Sequence, residues 1–450
     1  MSWLTVRGAD ERPSGLQGTV AVPGDKSISH RAVMLAALAE GTGTVEGFLP
    51  SGDCLATLAC VRQLGIRVEH ADSGAPTTLI IHGRGLRGLQ PPEEPLDCRR
   101  SGTTMRLLAG ILAGQSFGSV MTGAPGLLRR PMRRISDPLR RMGADIVDAE
   151  GRAPLKIQGN ARLRGGEHNL SIASAQVKSA ILLAGLYADG PVTVHQPGPA
   201  RDHTERMLAA QLEPRAAEQA PIVYDAATVR LVPDAVGRLR ALDRVIPGDL
   251  SSAAFLVAAA LLRPESHVTL VGVGVNPTRI GLLDVLAEMG GQMGMALQRE
   301  YGGEPVADVT ARGSALHGTE VEGATVVRMI DEFPILAVVA TQAQGRTVVR
   351  DAAELRVKES DRIASVVQEL RKLGARIESR EDGFVVEGPT QLHGAEVDSH
   401  RDHRLSMALT VAGLVAEGET TILGADCIPD SFPGFVETLQ TLGADLRHGV

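Results

Sequence analysis

The chain has 450 residues, and its 46 lysines and arginines against 53 aspartates and glutamates give a formal net charge of −7. An acidic balance of this kind disfavours a polyanionic partner such as DNA. Aromatic side chains make up only 2% of the chain, which leaves few platforms on which bases could stack. We therefore expect no nucleic-acid partner, and any anion site must be local.

Cysteine and histidine spacing argues against a disulfide framework or a metal centre. The 4 cysteines show neither a CxxC spacing nor a paired-histidine motif, so reduced and mostly buried thiols are expected. His400 and His403 are close in sequence, but no third ligand lies nearby. The sequence predicts no metal and no cofactor.

Membrane and export signals are weak. The N-terminal segment MSWLTVRGADERP lacks the apolar stretch of a secretory signal. Apolar runs such as residues 253–262 are far too short to span a bilayer. These features predict a cytoplasmic protein with no membrane partner.

One pattern recurs six times: a polar or basic start, an apolar helix, a glycine and a short β-like run. The starts are GDKSISHRA, RRSGTTMRLLAG, SIASAQVKSAILLAG, IPGDLSSAAFLVAAA, MIDEFPILAVVAT and SHRDHRLSMALTVAG. A second helix with a glycine C-cap and a strand follows, as in LRRMGADI and LRKLGARI, although the third copy is degenerate. A period of roughly 70 to 80 residues is too long for a solenoid and predicts small α/β subdomains grouped into two domains.

Residues 24–38, GDKSISHRAVMLAAL, show how such a unit begins. Asp25, Ser27 and Ser29 are capping types, and the alanine-rich stretch after them favours a helix. Its positive end suits an anion, although an ordinary capped surface helix fits the same pattern. If equivalent helices point the same way, their N-termini converge on a cleft for a multiply charged ligand. The side chains at or near these ends are Lys26, Arg106, Gln176, Asp331 and Arg404.

Two glycine motifs only superficially suggest nucleotide binding. Gly83, Gly85 and Gly88 have the spacing of a dinucleotide fingerprint, but LQPPEEP follows and cannot continue as the required helix. The run GDKS at residues 24–27 resembles the end of a P-loop, but an aspartate stands where that pattern needs glycine. An ATP-dependent kinase is therefore disfavoured.

Basic residues concentrate in the stretch TGAPGLLRRPMRRISDPLRR. Most of its arginines are expected to be solvated charges on a helix face. Arg130 precedes Pro131, is restricted to an extended conformation, and is the one predicted to point into a site. Arg201, in RDHTERM, precedes a further helix and is either a ligand contact or part of a capping segment with surface ion pairs.

The second half of the chain supplies carboxylates. The dipeptide Asp331-Glu332 precedes Phe333-Pro334, where a helix N-cap with proline in the first turn is the plain interpretation. In RVKESDR, Lys358 and Arg362 are predicted to share a helix face one turn apart, which suits an anion between them. A surface pair of Glu359 with Arg362 is the alternative.

Seven motifs together resemble the 5-enolpyruvylshikimate-3-phosphate synthase family, in family order over nearly the whole chain. They are GDKSISHRA, SGTTMRLL, SAQVKSAILLAGL, RDHTERML, DEFPILAV, RVKESDR and DHRLSMA. The resemblance implies transfer of the enolpyruvyl group of phosphoenolpyruvate to the 5-hydroxyl of shikimate 3-phosphate, with release of phosphate. It also implies a two-domain inside-out α/β barrel of six βαβαββ repeats, three per domain, that closes on its substrates. We separately expect a monomer. Residues 23–246 would form the first domain, and residues 1–22 with 247–450 the second.

The resemblance also assigns site residues. Asp331 would be the base on the 5-hydroxyl and Glu359 the proton relay to the methylene carbon, with Lys26 as a further catalytic residue. The shikimate 3-phosphate contacts would be Lys26, Ser27, Arg31, Ser174, Ala175, Gln176, Arg201, Asp331 and Lys358. The phosphoenolpyruvate contacts would be Lys26, Gly102, Arg130, Gln176, Arg362 and Arg404.

The chain departs from the family pattern at two positions. Arg100 stands where the family usually has asparagine, and Asp430 stands where some members have lysine. In this family glyphosate occupies the phosphoenolpyruvate site, and a methyl group at the position of Gly102 excludes it, so the glycine here implies sensitivity. The effect of Arg100 on that sensitivity stays open.

Two alternatives stay open. The UDP-N-acetylglucosamine enolpyruvyl transferases are similar in fold and donor, but they carry a reactive cysteine that the arginine-rich stretch lacks, and RVKESDR is foreign to them. A non-catalytic anion-binding clamshell would keep the basic residues without turnover. The presence of both Asp331 and Glu359 argues against it.

Overall fold

The structure is a computed structural model that describes residues 2–8, 15–71, 77–159 and 162–449. Its internal contacts divide the chain into two compact units. Unit 1 consists of Met1–Pro23, Gly248–Arg299 and Pro305–Val450, and unit 2 of Gly24–Pro247 and Glu300–Glu304. Each unit has its own hydrophobic core.

The α-helices are mostly short, as expected for small repeated units. They are α1 Lys26–Leu38, α2 Gly52–Gln63, α3 Gly102–Ala113, α4 Pro125–Leu128, α5 Arg133–Arg141, α6 Ala175–Gly185, α7 His203–Gln211, α8 Leu250–Leu262, α9 Gly281–Glu288, α10 Ala324–Arg328, α11 Phe333–Gln342, α12 Arg362–Lys372, α13 His403–Val415 and α14 Phe435–Thr441.

The strands are also short. They are β1 Trp3–Arg7, β2 Gln17–Ala21, β3 Glu40–Glu46, β4 Arg67–His70, β5 Leu79–Arg84, β6 Leu96–Asp97, β7 Ser119–Thr122, β8 Ile146–Ala149, β9 Arg152–Ile157, β10 Gly166–Asn169, β11 Val192–His195, β12 Leu212–Pro214, β13 Ile222–Tyr224, β14 Thr228–Leu231, β15 Val236–Leu239, β16 Arg244–Val245, β17 His267–Gly274, β18 Gln292–Tyr301, β19 Glu304–Arg312, β20 Glu320–Val321, β21 Gly345–Val349, β22 Arg376–Arg380, β23 Gly383–Gly388, β24 Glu396–Asp398, β25 Glu419–Leu423 and β26 Leu446–Gly449.

Four-stranded sheets repeat one arrangement within the described residues. In each, an outer strand runs parallel to its neighbour, that neighbour is antiparallel to a third strand, and a fourth completes the sheet. The strand orders are β24-β25-β1-β26, β2-β17-β19-β18 and β20-β21-β23-β22 in unit 1, and β16-β3-β5-β4, β6-β7-β9-β8 and β10-β11-β14-β13 in unit 2. Unit 2 also contains a two-stranded sheet, β12-β15.

Six helices are buried along nearly their whole length, namely α1, α3 and α6 in unit 2 and α8, α11 and α13 in unit 1. Most side chains along these helices are apolar, and helices of this kind belong in a core. Strands such as β9 alternate buried and exposed side chains, so one face of the sheet meets solvent. These six helices are therefore buried within their units, and sheets such as that of β9 keep one face toward solvent.

Polar caps explain where these buried helices begin. Asp25 accepts a hydrogen bond from the backbone N–H of Ile28, which confirms the predicted helix start in residues 24–38. Ser101, Ser174 and Asp402 cap α3, α6 and α13 in the same way. The caps satisfy backbone donors that burial would otherwise leave without a partner, and they leave polar side chains at the ends of the helices.

The predicted burial of the cysteines is confirmed for all four: Cys54, Cys60, Cys98 and Cys427. Burial raises the pKa of the Cys427 thiol to about 12. A thiol protonated at neutral pH is a poor nucleophile. Among the described helices, none is long and apolar enough to cross a membrane.

A buried ion pair links α6 to α7. Lys178 Nζ lies 2.5 Å from Glu205 Oε1, and both side chains are only 1% exposed. Burial raises the pKa of Glu205 although the charge of Lys178 opposes it. Lys178→Met should therefore destabilise unit 2 by about 3–5 kcal/mol, because it leaves a buried carboxylate without its cation.

Urea titration followed by circular dichroism measures this loss. Replacing both partners, Lys178→Met with Glu205→Leu, should recover most of it, since an apolar pair of similar volume has no charge to desolvate. Equal stability of the single variant and the parent chain would contradict the prediction.

Candidate active site

Lys26 is the first residue of α1 and is presented by a buried capping turn. Asp25, which is 4% exposed, accepts a hydrogen bond from the backbone of Ile28 at 2.9 Å and fixes the helix start. Lys26 Nζ lies 3.5 Å from Asp53 Oδ2, and its side chain stays partly exposed. The ammonium group is therefore accessible and positioned by a nearby carboxylate.

Arg31 is buried behind Lys26, one turn into α1. Its Nε donates to Thr204 Oγ1 at 2.7 Å, Nη1 to the carbonyl of Ser27 at 2.9 Å and Nη2 to Ser179 Oγ at 2.9 Å. Burial lowers the pKa of Arg31 to about 10, and the charge of neighbouring Arg201 contributes to the lowering. Arg31 remains charged at neutral pH, and it ties α1, α6 and α7 together at their polar ends.

The start of α6 carries three of the predicted residues. Ser174 is the N-cap, Ala175 begins the helix, and Gln176 follows. Arg106 Nη1 donates a short hydrogen bond to Gln176 Oε1, and Gln176 Nε2 donates to Thr103 Oγ1 at 2.9 Å. The first turns of α3 and α6 therefore form one polar cluster.

Gly102 opens α3 against two guanidinium groups. A Cβ added there would lie 3.4 Å from Arg130 Nη1 and 3.5 Å from Arg106 Nη1, which is ordinary van der Waals contact. The structure thus brings Gly102 and Arg130 together, as both sequence assignments require. The structure also brings Arg106 next to Gly102. The sequence placed Arg106 at a helix end but not among the ligand contacts. Its position one turn after Gly102 on the same helix was the available signal.

Asp331 is the centre of the charged cluster of unit 1. Its Oδ1 lies 3.5 Å from Lys358 Nζ and 3.4 Å from Arg362 Nη1, and its Oδ2 lies 3.9 Å from Arg404 Nη2. The backbone carbonyl of Asp331 accepts a hydrogen bond from Arg404 Nη1 at 3.3 Å. Three cations therefore converge on one carboxylate, which is 16% exposed at its side chain.

The prediction that Lys358 and Arg362 share a helix face is wrong. Lys358 follows a 3-10 helix at residues 353–357 with an extended backbone, φ −80° and ψ −154°. Helix α12 begins only at Arg362, because Asp361 accepts a hydrogen bond from a backbone N–H of its first turn. The two cations still reach a common anion, the carboxylate of Asp331, from different elements.

Arg362 holds the carboxylates of the cluster in place. Its Nε donates to Asp402 Oδ2 at 2.8 Å and its Nη2 to Glu359 Oε2 at 2.7 Å. Burial by itself lowers the pKa of Arg362, but the charges of Asp402, Glu359 and Asp331 outweigh it and raise that pKa above its ordinary value. Burial likewise would raise the pKa of Asp402, yet Arg362 brings it below the usual value.

The surface-pair alternative for Glu359 and Arg362 does not describe this contact. The side chain of Arg362 is only 2% exposed, whereas that of Glu359 is 32% exposed. A fixed guanidinium therefore orients a carboxylate whose other side can meet solvent or a ligand. Such a carboxylate is suited to proton exchange with a bound molecule.

Four other residues singled out in the sequence have the following positions. Arg100 is exposed, and Asp430 ends a 3-10 helix. His400 Nε2 lies 3.0 Å from Glu369 Oε1, while His403 is the first residue of α13. In the part of the chain that the structure describes, no group of three or more histidine, cysteine or acidic side chains could hold a metal ion.

Comparison with solved structures defines the fold class. An EPSP synthase structure from Acinetobacter baumannii superposes with a TM-score of 0.88 at 40% sequence identity, covering 100% of both chains. A second structure of EPSP synthase from the same organism gives 0.87 at 40% identity with the same coverage. The chain is a mixed α/β protein with the fold of these synthases.

Comparison of sequences defines the family. A family model described as EPSP synthase (3-phosphoshikimate 1-carboxyvinyltransferase) matches residues 11–439. A relative of that enzyme name in Desulforudis audaxviator is 52% identical over 430 residues, 95% of this chain and 97% of the relative. Another, in Herpetosiphon aurantiacus, is 50% identical over 422 residues, 93% of this chain and 95% of the relative. The chain belongs to the EPSP synthase family.

Proposed function

We propose that the chain transfers the enolpyruvyl group of phosphoenolpyruvate to the 5-hydroxyl of shikimate 3-phosphate and releases phosphate. The observation that carries the proposal is the cluster on Arg362, where the carboxylates of Asp331 and Glu359 lie beside one buried guanidinium. Lys358 and Arg404 add positive charge next to Asp331. Relatives named 3-phosphoshikimate 1-carboxyvinyltransferase, which are 52% and 50% identical in sequence to this chain, support the same reaction.

Proton transfer in this reaction needs two carboxylates with opposite tasks. Asp331 accepts the proton of the 5-hydroxyl while the hydroxyl oxygen forms a bond to C2 of phosphoenolpyruvate. Glu359 protonates C3 in the same step, which gives a tetrahedral adduct. The bond from C2 to the phosphate oxygen then breaks and phosphate leaves, while the carboxylate of Glu359 takes a proton back from C3 and the double bond is restored. Arg404 suits the phosphate or carboxylate of phosphoenolpyruvate, because a guanidinium group binds such anions bidentately. Arg362, whose Nε and Nη2 are held by Asp402 and Glu359, would contact phosphoenolpyruvate through Nη1.

The remaining contacts are assigned to unit 2. Lys26 would act at phosphoenolpyruvate, together with Gly102, Arg130 and Gln176. The shikimate 3-phosphate contacts would be Lys26, Ser27, Arg31, Ser174, Ala175, Gln176 and Arg201, with Asp331 and Lys358 from unit 1. The hydrogen bonds of Arg31 to its own chain support a role in shaping this set as well as in supplying charge.

We propose the finer architecture on the same basis: six βαβαββ repeats in a two-domain inside-out α/β barrel. The shared strand order of the four-stranded sheets and the buried helices support it. Domains at 23–246, and at 1–22 with 247–450, are supported by the division of contacts near Pro23 and Pro247. A monomeric cytoplasmic enzyme stays a prediction that size-exclusion chromatography and cell fractionation test.

The deciding experiment incubates the purified protein with phosphoenolpyruvate and shikimate 3-phosphate and measures released phosphate. Replacing the acceptor by UDP-N-acetylglucosamine tests the other enolpyruvyl transferase. Phosphate release only with shikimate 3-phosphate is expected. Binding of both substrates without phosphate release would indicate the anion-binding clamshell instead.

Gly102→Ala should leave the fold intact, because the added methyl makes only ordinary contacts with Arg130 and Arg106. It would cover guanidinium surface that an anion uses. We expect inhibition by glyphosate, competitive with phosphoenolpyruvate, to weaken on the order of tenfold, and by more than the affinity for phosphoenolpyruvate itself. Equal inhibition constants for Gly102→Ala and the parent chain would show that Gly102 does not line the phosphoenolpyruvate site.

A further inference from the structure

Glu332 is a buried carboxylate next to Asp331 that the reaction scheme leaves without a task. It is 2% exposed and stands at the N-cap of α11. Its side chain makes no capping hydrogen bond there, so the plain interpretation from the sequence does not account for it. Burying a carboxylate costs free energy unless its interactions compensate.

Ser251, in the first turn of α8, donates a short hydrogen bond to Glu332 Oε1. Its hydroxyl also accepts a hydrogen bond from Arg279 Nη2 at 2.7 Å. A serine hydroxyl has a single hydrogen, so the guanidinium on one side directs that hydrogen to Glu332 on the other. Arg279 in turn is held by Asp249, the N-cap of α8, at 3.2 Å.

Arg404 contacts the same oxygen of Glu332, Oε1. Its Nη1 lies 3.5 Å from Glu332 Oε1 and donates to the backbone carbonyl of Asp331 at 3.3 Å. Its Nη2 has a looser contact, 3.9 Å from Asp331 Oδ2. The Nη1 group of Arg404 is therefore held by the chain, whereas Nη2 has the longer contact.

We infer that Glu332, fixed by the Ser251–Arg279 hydrogen bonds, is a positioning residue that orients Arg404 for its anionic substrate group. This inference rests on the proposed function, in which Arg404 binds phosphoenolpyruvate. The carboxylate holds Nη1 and so turns Nη2 toward the ligand. Because the ligand is itself an anion, Glu332 serves by fixing geometry and not by adding attraction.

The test is the kinetics of Glu332→Gln, which keeps an oxygen for Ser251 but removes the charge that faces Arg404. We expect the KM for phosphoenolpyruvate to rise on the order of tenfold, with the KM for shikimate 3-phosphate and the melting temperature nearly unchanged. Ser251→Ala should shift the same constant in the same direction, and Ser251→Thr, which keeps the hydroxyl, should shift it less. Glu369→Gln, another buried carboxylate of unit 1, is the matched control.

A double-mutant cycle separates positioning from general damage. In an Arg404→Lys background, adding Glu332→Gln should change the KM for phosphoenolpyruvate by less than about twofold, since the group it orients is gone. Full additivity of the two effects, or an unchanged KM in Glu332→Gln, would overturn the inference. A parent chain that releases no phosphate would instead contradict the proposed function, so the two failures are distinguishable.

Discussion

Glu359→Gln is expected to lower turnover on the order of 100-fold or more while the protein stays folded. The amide still accepts the hydrogen bond from Arg362 Nη2 that Glu359 accepts at 2.7 Å, so the local geometry should survive. What is lost is the exchangeable proton for C3 of phosphoenolpyruvate. Asp331→Ala should lower turnover to a similar extent, because no other group at that position can accept the proton of the 5-hydroxyl.

Single-turnover phosphate release at saturating substrates measures both effects without interference from weaker binding. Glu378→Gln, an exposed glutamate on β22 of the same unit, is the control and should retain parent activity. Full activity of either active-site variant would contradict the assigned roles. Loss of parent activity on adding a chelator would point to a metal and contradict the carboxylate mechanism.

The local features of the site could be predicted from sequence because their causes are local. A capping aspartate before an alanine-rich stretch predicts the start of α1, and the helix begins at Lys26 as expected. The helix after Asp331-Glu332 also begins where the sequence predicts, with Pro334 in its first turn, although the side chain of Glu332 makes no capping hydrogen bond there. Caps and proline act within a few residues, so a sequence window contains all the information they need.

The prediction from residue spacing in RVKESDR was wrong because it assumed a helix that the chain does not form. Lys358 and Arg362 are four residues apart, but Asp361 starts a new helix between them, and the backbone at Lys358 is extended. The capping signal of Asp361 was in the sequence and competed with the periodicity. A cap immediately before the second member of a helical pair is therefore evidence against the pair.

Contacts between distant parts of the chain could not be predicted. The burial of Arg31 depends on Thr204 and Ser179, which lie on two other helices. The place of Glu332 depends on Ser251, 81 residues away in sequence. Residue type gives no signal for such partners, because serines and threonines in the first turn of a helix, such as Thr204 and Ser251, are equally well explained as caps.

Arg362→Met should destabilise unit 1 by about 3–5 kcal/mol at neutral pH, because it leaves the fully buried Asp402 without its cation. Arg362 donates to both oxygens of Asp402, at 2.8 Å from Nε and 3.3 Å from Nη2. Urea titrations at neutral pH measure the loss. Arg371→Met is the control, at an exposed arginine of the same helix whose Nε donates to the backbone carbonyl of Ile377 at 2.8 Å. It should cost no more than about 1.5 kcal/mol, the net contribution of one such hydrogen bond.

The pH dependence of that loss identifies its cause. In the parent chain the pKa of Asp402 lies below its usual value, so its contribution to stability is complete above about pH 4 and is lost as the pH falls through the folded-state pKa. In Arg362→Met, burial and the charge of Glu359 raise that pKa against the weaker opposing effect of His403. Protonation of Asp402 at mildly acidic pH then removes the cost of its buried charge in the variant. The difference between parent and variant should therefore be largest near pH 7, begin to shrink as the pH falls toward about 4, and shrink further below it. A difference that stays constant over this range would show that lost packing, and not an unpaired buried carboxylate, destabilises the variant.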